Sequence, residues 1–323
     1  LERTCNFSFR ISYCLLSYIG YLGLYIQNIS RLFKMAFYAW HLAAALLVYI
    51  TTVSGAPNIE TRVIGGIEVY DRCRPPFSWM VALRMNSPAG PVTFCSAVML
   101  DNTTLVTSAR CISQFVGSST SPGVAVVGER DLLAVDRYEQ TIPIEGLRLH
   151  PDFNSDTYDN NIGLIRLSSP ATFSSCVMPA ARMEDDPDAC QDLDTSCEMA
   201  GWGPYVEATQ PTNSRVVRSS PITVYGDFVT LQLELARTSS SPPKGSLYAE
   251  AINTRQKACF FDWGGVVSCV RNGNIVLRGV VGEHNCNANP VPPIMVTNVR
   301  DFEQWIDACN RNWDSVTCTG NTV

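Results

Sequence analysis

The stretch that decides the fold is Cys259-Phe-Phe-Asp262-Trp263-Gly264-Gly265-Val-Val-Ser-Cys269, in which Asp-Trp-Gly-Gly stands between two cysteines. Further motifs stand on both sides of it, over nearly the whole span from Arg62 to Ile306. They are Arg62-Val63-Ile-Gly-Gly66, Thr107-Ser-Ala-Arg110-Cys111, Tyr158-Asp-Asn-Asn161-Ile162, Cys197-Glu-Met-Ala-Gly201-Trp202-Gly203 and Trp305-Ile306. Because the motifs are spread this widely, a pattern that they match together describes most of the chain.

In this order the motifs resemble the chymotrypsin/trypsin family of serine proteases (peptidase S1). The central stretch is similar to the nucleophile loop of that family, Cys-x-Gly-Asp-Ser-Gly-Gly-Pro-x-x-Cys, and keeps the distance between its cysteines. The resemblance implies an all-β fold, a chymotrypsin-like double antiparallel β-barrel with a C-terminal helix. It places the peptidase S1-like domain over residues 63–310 and a C-terminal tail over residues 311–323.

The resemblance also locates the three positions of the catalytic triad, and all three are substituted. Trp263 stands in place of the nucleophilic serine, Arg110 in place of the histidine base and Asn161 in place of the orienting aspartate. Acyl transfer in this family needs a hydroxyl, a base that takes its proton and a carboxylate that orients the base. An indole has no nucleophilic oxygen, a guanidinium accepts no proton at working pH, and an amide carries no charge. We therefore expect a degenerate triad and no catalytic residue.

The neighbouring oxyanion and pocket positions are substituted as well. Phe261 replaces the glycine whose N–H faces the oxyanion, and Lys257 replaces the residue on the floor of the substrate pocket. His284 and Ile294 replace two glycines of the pocket wall. We expect the cleft to be filled by its own side chains. Arg110 then needs a counter-ion, and Glu283, in place of a cleft tryptophan, is the predicted partner in a salt bridge.

A substitute triad would need another histidine. Downstream of residue 55 only His150 and His284 remain, and His150 lies in a segment that resembles a surface loop of active relatives. The pattern offers no serine beside His284 to activate. We expect neither histidine to be catalytic.

One device of the family is kept in the sequence. Zymogens of this kind are cleaved after a basic residue, and the new N-terminal ammonium pairs with the aspartate that precedes the nucleophile. Here Arg62 and Val63 provide the activation site and Asp262 the carboxylate. The alternative is that Asp262 only satisfies local backbone donors and the bond after Arg62 is never cut.

The N-terminal residues read as a secretory leader. Met35 opens an apolar run to Ile50, and small residues follow to Gly55. We assign residues 35–55 to a signal peptide, 56–62 to a short propeptide, and 1–34 to a leader or gene-model extension. This assignment predicts a secreted, extracellular protein. The alternative is a membrane anchor, because the apolar run is about long enough to span a bilayer.

The cysteines support export, because disulfides persist in oxidising compartments. The resemblance implies three bridges, Cys95 with Cys111, Cys197 with Cys269, and Cys259 with Cys286. It leaves five cysteines of the mature protein unassigned, an odd number, so one of them is a capped thiol or forms a disulfide to another protein. These five are Cys73, Cys176, Cys190, Cys309 and Cys318. Asn102-Thr-Thr104 is a glycosylation sequon in a predicted surface loop.

Composition agrees with one domain rich in short strands. The alternating runs at 92–94, 123–127, 141–147 and 274–281 predict antiparallel strands, 77–83 resembles the first barrel strand, and 238–245 predicts a flexible loop. The formal net charge is −6, without a basic stripe, so nucleic-acid binding is not expected. Nothing in the sequence predicts a cofactor or a metal site.

Together these features most resemble the catalytically inactive serine protease homologues that are abundant in insects. The resemblance implies a pseudoprotease that binds extracellular proteins, such as active serine proteases or their inhibitors. Its role would be that of a cofactor, decoy or adaptor in an immune or reproductive protease network. One alternative is an active trypsin-like serine endopeptidase. Another is a membrane-anchored form of the same pseudoprotease.

Overall fold

The computed structural model describes residues 66–87, 90–118, 123–183, 193–203, 215–238, 240–253, 262–283, 292–315 and 317–318. The predicted N-terminal segments, residues 1–65, lie outside these described residues. Within the described part, no helix is both long enough and apolar enough to cross a membrane.

The first half of the domain is a closed antiparallel barrel of six strands. A short strand, β1 (Ile67–Glu68), and a 3-10 helix (Phe77–Trp79) precede it. Its strands follow the order β2-β3-β4-β7-β6-β5 around the barrel, so that no strand is left as an open edge. They are β2 (Met80–Ser87), β3 (Gly90–Met99), β4 (Thr104–Thr107), β5 (Val124–Val127), β6 (Gln140–Leu149) and β7 (Gly163–Leu167).

The second half repeats this architecture. Its ring runs β9-β10-β13-β12-β11-β8, a pairing between β8 and β9 closes it, and β1 pairs with β9 from outside. The strands are β8 (Leu193–Gly201), β9 (Arg218–Tyr225), β10 (Ser246–Ala251), β11 (Val266–Arg271), β12 (Asn274–Val281) and β13 (Ile294–Asn298). The predicted all-β double antiparallel barrel is therefore confirmed.

Alternating side chains fill each barrel, because successive residues of a strand point to opposite faces. Leu83, Leu105 and Ile165 belong to the buried cluster of the first barrel, and Ile222 and Leu247 to that of the second. Burying an aliphatic side chain of this size stabilises the fold by about 1.5–3 kcal/mol. The two clusters thus make each barrel a rigid support for the loops between them.

Helices lie outside the barrels. They are α1 (Ala109–Ser118), α2 (Asp227–Thr238), a second 3-10 helix (Val299–Phe302) and α3 (Glu303–Arg311). The predicted C-terminal helix corresponds to α3, which buries Trp305, Ile306 and Cys309 along one face. These three residues join a third buried cluster, which also holds residues of both barrels.

The described disulfides include two of the three pairs that the resemblance implied, Cys95–Cys111 and Cys197–Cys269. Cys259 and Cys286 lie outside the described residues. Four of the five unassigned cysteines pair within this protein, as Cys73–Cys176 and Cys309–Cys318. Cys190, the fifth, lies outside the described residues, so its predicted state stays a prediction.

Candidate functional site

The loop that carries Trp263 is held by glycines. Gly264 has φ +75°, and a Cβ atom at this position would lie 2.0 Å from the carbonyl oxygen of Ser96. Only glycine combines this left-handed backbone with so close an approach. The preceding Asp262 is buried, and the backbone N–H of Gly203 donates a hydrogen bond of 2.9 Å to Asp262 Oδ1. This local geometry fixes the direction in which residue 263 leaves the loop.

The Trp263 side chain is 5% exposed and packs with the first barrel. Its neighbours in the buried cluster include the Cys95–Cys111 disulfide and Ile112 of α1. The Trp263 carbonyl accepts a hydrogen bond of 3.0 Å from the backbone N–H of Ser96 on β3. The indole is therefore a packed part of the barrel interface.

Asn161 and Arg110 meet as the aspartate and histidine positions of the family would. The backbone N–H of Arg110 donates to Asn161 Oδ1 at 2.9 Å, and the hydroxyl of Thr297 donates to the Asn161 carbonyl at 2.8 Å. The amide nitrogen Nδ2 of Asn161 is buried and has no hydrogen-bond acceptor among the described residues. It lies 3.3 Å from where a Cβ atom of Gly282 would stand. The side chain of Asn161 thus presents its acceptor oxygen to the backbone of residue 110 and keeps its donor nitrogen buried near Gly282.

The Arg110 side chain makes a different set of contacts from those of a catalytic base. Its Nε lies 3.5 Å from Oε2 of Glu283, and the two side chains are 31% and 19% exposed. Its Cζ lies 5.9 Å from the centre of the Tyr158 ring and 5.4 Å from that of the Trp263 ring. Both distances are within the range of cation–π attraction. The expected partner Glu283 is therefore within ion-pair distance, and two aromatic rings accompany it.

Tyr158 was not singled out as a site residue from the sequence. Its φ of 61° is uncommon for a residue with a large side chain, and such strain costs on the order of 1–3 kcal/mol. The turn is held by the Tyr158 N–H, which donates to the Asn154 carbonyl at 2.8 Å. Burial raises the pKa of the Tyr158 hydroxyl, and the Glu283 carboxylate raises it further by its charge and by a hydrogen bond, while Arg110 opposes this. Tyr158 and Arg110 therefore both contact Glu283.

The pocket position that the structure describes carries an aliphatic side chain. Ile294 lies on β13, is buried and belongs to the core of the second barrel. It pairs across the strands with Ala249 of β10. The other predicted pocket, oxyanion and activation residues lie outside the described residues; they are Lys257, Phe261, His284, Arg62 and Val63.

His150 is packed between two aromatic rings. Its ring centre lies 5.2 Å from that of Phe302 and 5.0 Å from that of Trp305, and its Nδ1 accepts a hydrogen bond of 3.2 Å from the Asp152 N–H. Burial lowers the pKa of His150, and the charge of Asp152 partly opposes this. No serine hydroxyl among the described residues is hydrogen-bonded to it. His150 joins a loop of the first barrel to the C-terminal helix.

The site thus brings together an indole, a guanidinium, an amide, a carboxylate and a phenol. These groups can donate hydrogen bonds, stack and pair charges. The missed contribution of Tyr158 had one signal in the sequence, its place three residues before Asn161 in a motif that the resemblance had already aligned.

Comparisons with known proteins agree with this architecture. The family model described as Trypsin matches residues 63–306. Trypsin-1 of Salmo salar is 27% identical over 265 residues, which cover 80% of this chain and 96% of the relative. Trypsin-2 of the same fish is 28% identical over 251 residues, which cover 76% and 94%. With two closed antiparallel barrels, the loop at Asp262–Gly265 between them and a family match across both, the chain belongs to the trypsin family.

Proposed function

We propose that this protein is a catalytically silent, secreted member of the trypsin family that acts by binding other extracellular proteins. The observation that carries the proposal is the identity and burial of the side chain at position 263. The side chain in the nucleophile position is an indole buried in the first barrel, and the side chain in the base position is paired with Glu283. Neither group can carry out the first step of acyl transfer.

The proton donors and acceptors at the triad positions support the same conclusion. In the triad mechanism a neutral imidazole takes the proton of the serine hydroxyl and an aspartate stabilises the imidazolium. Here the residue at the base position is a guanidinium that has only donors, the residue at the aspartate position is a neutral amide, and the carboxylate of Glu283 offsets the charge of Arg110. Loss of the nucleophile or of the base alone lowers turnover by about a millionfold in a serine protease, and such losses do not add. Residual hydrolysis would be below detection.

The substituted side chains make contacts within the protein, and this also favours a binding role. Arg110 has a counter-ion and two aromatic neighbours, and Ile294 is part of a packed core. A protease that had only lost its nucleophile would keep an open pocket and an unpaired base position. A site rebuilt around internal contacts is the arrangement expected of a protein whose surface, and not its chemistry, is used.

The decisive experiment is covalent labelling by a fluorophosphonate probe, together with hydrolysis of a mixed peptide library. We expect no labelling and no hydrolysis before or after treatment with trypsin, whereas active trypsin in the same assay is labelled. The variant Trp263→Ser should also stay silent, because Arg110 cannot take the proton of the new hydroxyl. Covalent labelling at a single serine of the natural protein would establish the alternative, an active endopeptidase.

The partner class follows from the proposed compartment. Four disulfides among the described residues fit an oxidising, extracellular environment. We propose active serine proteases or their inhibitors as partners, with this protein as cofactor, decoy or adaptor in an immune or reproductive protease network. Co-purification from the fluid that contains the protein tests this. Recovery of the protein alone, or only in membrane fractions, would argue against it.

The activation switch forms a separate part of the proposal. Asp262 is buried, and Gly201 and Gly203 leave space for its carboxylate, since a Cβ atom on either would lie 2.3 Å from it. We propose that cleavage after Arg62 frees the Val63 ammonium to pair with Asp262. Mass spectrometry of the secreted protein after exposure to trypsin-like enzymes tests this. An N-terminus that stays upstream of Arg62 contradicts it.

Glycosylation at Asn102 is also proposed. Asn102 is exposed between β3 and β4, where an oligosaccharide can project into solvent. Digestion with an N-glycosidase should lower the apparent mass of the secreted protein, and the variant Asn102→Gln should not show this shift.

A further inference from the structure

The guanidinium of Arg110 makes no hydrogen bond to the described residues, although its Nε lies within ion-pair distance of Glu283. Its Nε is buried and faces Glu283, while the side chain as a whole keeps 31% of its surface exposed. An arginine has five N–H donors, four of them on its two terminal nitrogens. Among the described residues, these terminal nitrogens have no hydrogen-bond acceptor and no second counter-ion. Because the side chain keeps part of its surface exposed, an outside acceptor can reach it.

The same guanidinium is held in place before any ligand arrives. The Trp263 and Tyr158 rings lie 5.4 and 5.9 Å from its Cζ, and Oε2 of Glu283 lies 3.5 Å from its Nε. Binding to a side chain that is already ordered costs less conformational entropy than binding to a free surface arginine. This distinguishes Arg110 from an ordinary exposed cation.

We infer that Arg110 is a receptor for a single carboxylate of a binding partner, either that of an Asp or Glu residue or that of a free C-terminus. The planar fork of a guanidinium matches the two oxygens of a carboxylate, and such bidentate pairs are strong and directional. The inference rests on the proposed function, because it assigns a binding role to the position of the former base. It names the chemistry by which a partner would recognise the rebuilt cleft.

The charges around the site limit the ligand to one carboxylate. Glu283 already offsets the charge of Arg110, and Asp152, Asp156 and Asp159 lie on the loop that carries Tyr158. A run of acidic residues would be repelled by these carboxylates at distances shorter than the Debye length of about 8 Å at physiological salt. The site should therefore prefer an acidic residue flanked by neutral residues.

Three short peptides test the inference with the full-length secreted protein. One contains a glutamate between glycines with both ends blocked, the second is a triglycine with a free C-terminus, and the third replaces the glutamate by glutamine. Binding is followed by NMR shifts of the arginine Nε–H and tryptophan indole signals. We expect at least one carboxylate peptide to bind about tenfold more tightly than the glutamine peptide, since a hydrogen bond to a charged group contributes about 1.5–3 kcal/mol. The two carboxylate peptides distinguish an acidic residue from a free terminus.

Two variants of Arg110 and a matched control complete the test. Arg110→Gln and Arg110→Lys should each weaken carboxylate binding about tenfold, the second because lysine keeps the charge and loses the fork. Arg74→Gln is the control, because Arg74 also lies over an aromatic ring, Phe77 at 4.4 Å, and near a carboxylate, Glu198 at 3.9 Å. This control should bind as the natural protein does. Near-ultraviolet circular dichroism verifies that each variant is folded, and the peptide comparison decides even if one variant is not.

Any of three results would overturn the inference. The glutamine peptide could bind as tightly as the carboxylate peptides, binding could be unchanged in folded Arg110→Gln, or neither carboxylate peptide could shift the NMR signals. These results leave the proposed function intact, because that is decided by fluorophosphonate labelling. Labelling of the natural protein would instead remove the proposed function, whatever the peptides do.

Discussion

At the scale of single residues, the side chains at the three positions aligned with the family's triad contact one another and residues nearby. Glu283 is central, because its carboxylate pairs with Arg110 and raises the pKa of the Tyr158 hydroxyl. The Arg110 guanidinium then lies close to the Trp263 ring. A change at Glu283 should therefore affect Arg110 and Tyr158 directly, and Trp263 through Arg110.

The variant Glu283→Gln tests this role of Glu283. It keeps the shape of the side chain and removes the charge, so that Arg110 loses its counter-ion. Because the pair is partly exposed, we expect a loss of about 1–2 kcal/mol in the free energy of unfolding, between the values typical of surface and buried pairs. Urea denaturation measures this. Glu145→Gln, which breaks the more exposed pair with Arg166 at 3.4 Å, should cost less than about 0.5 kcal/mol. Equal losses in the two variants would contradict the prediction.

Gly264 provides a second prediction at this scale. Gly264 and Gly273 both have positive φ, +75° and +79°, but a Cβ atom at Gly264 would clash with Ser96 while one at Gly273 meets nothing within 4 Å. Gly273→Ala should therefore cost only the backbone strain, about 1–2 kcal/mol. Gly264→Ala adds the clash and should cost more than about 3 kcal/mol or prevent folding. Thermal unfolding of the two variants compares them. A smaller loss for Gly264→Ala would show that the loop adapts.

Much of the site could be predicted from the sequence because it lies in motifs with fixed spacing. Arg110, Asn161 and Glu283 were placed by the residues around them, and the pairing of Arg110 with Glu283 followed from the cost of an unpaired buried charge. Tyr158 could not be placed in the same way. Its contact with Glu283 depends on a left-handed backbone conformation that most residues avoid.

At the scale of elements, α2 was not predicted, and the reason lies in its buried face. Its sequence has apolar residues at 229, 231, 233 and 235, an alternation typical of a strand. In the structure its buried side chains are Thr230 and Glu234, one helical turn apart. The Thr230 hydroxyl oxygen accepts from the Tyr248 N–H at 3.1 Å, and Glu234 accepts from the Tyr248 hydroxyl at 2.6 Å. Polar contacts with β10, invisible to hydrophobic periodicity, hold this helix.

The variant Tyr248→Phe tests this account of α2. It removes the donor to Glu234 at a buried position and should cost about 1–2 kcal/mol of folding free energy. Amide hydrogen exchange in α2 should become faster. Tyr225→Phe is the control, since Tyr225 donates to Glu250 at 2.9 Å in an exposed setting, and its effect should be below about 0.5 kcal/mol. Unchanged exchange in α2 would mean that Tyr248 does not anchor the helix.

The strands were predicted better than the helices because their side chains alternate between core and solvent. The run at 274–281 coincides with β12, and the run at 141–147 lies inside β6. The expected first strand at 77–83 was wrong at its beginning, because Phe77–Trp79 form a 3-10 helix in which the Arg74 carbonyl accepts from the N–H groups of Phe77 and Ser78. The segment at 238–245, expected to be flexible, is tied in part by the Lys244 N–H, which donates to Asp159 at 2.8 Å.

At the scale of the whole molecule, the C-terminal tail links the second half of the domain to the first barrel. Trp313 is buried and lies against Gly146 of β6, where a Cβ atom would be 3.0 Å from its indole nitrogen. Arg148 lies 5.0 Å from the Trp313 ring and pairs with Asp314 at 3.1 Å. The Cys309–Cys318 disulfide closes the tail on α3. The described residues of the tail thus pack against the first barrel.

Removal of the Trp313 side chain tests the packing of the tail against the first barrel. Trp313→Ala should lower the free energy of unfolding by about 3 kcal/mol, as is usual when a buried tryptophan is truncated. Hydrogen exchange should increase in β6 as well as in the tail, because the indole would no longer shield Gly146 from solvent. Val135→Ala, at an exposed position, serves as the control and should change neither. An increase confined to the tail would show that it does not support the barrel.

The pH dependence of global stability should depend in part on Glu129. This carboxyl is buried beside Arg84; burial raises its pKa from 4.5 to about 7, the charges of Glu139 and Asp136 add to the rise, and Arg84 opposes it. Because the folded-state pKa lies above the unfolded value, the folded protein binds more protons between these two pH values. Stability should therefore fall as the pH rises from about 4.5 to about 7, by at most about 1.4 kcal/mol per pH unit from this group. Denaturant unfolding across this range, compared with Glu129→Gln, isolates the contribution: the variant should lose this part of the slope. Parallel curves for the two proteins would show that Glu129 is ionised throughout.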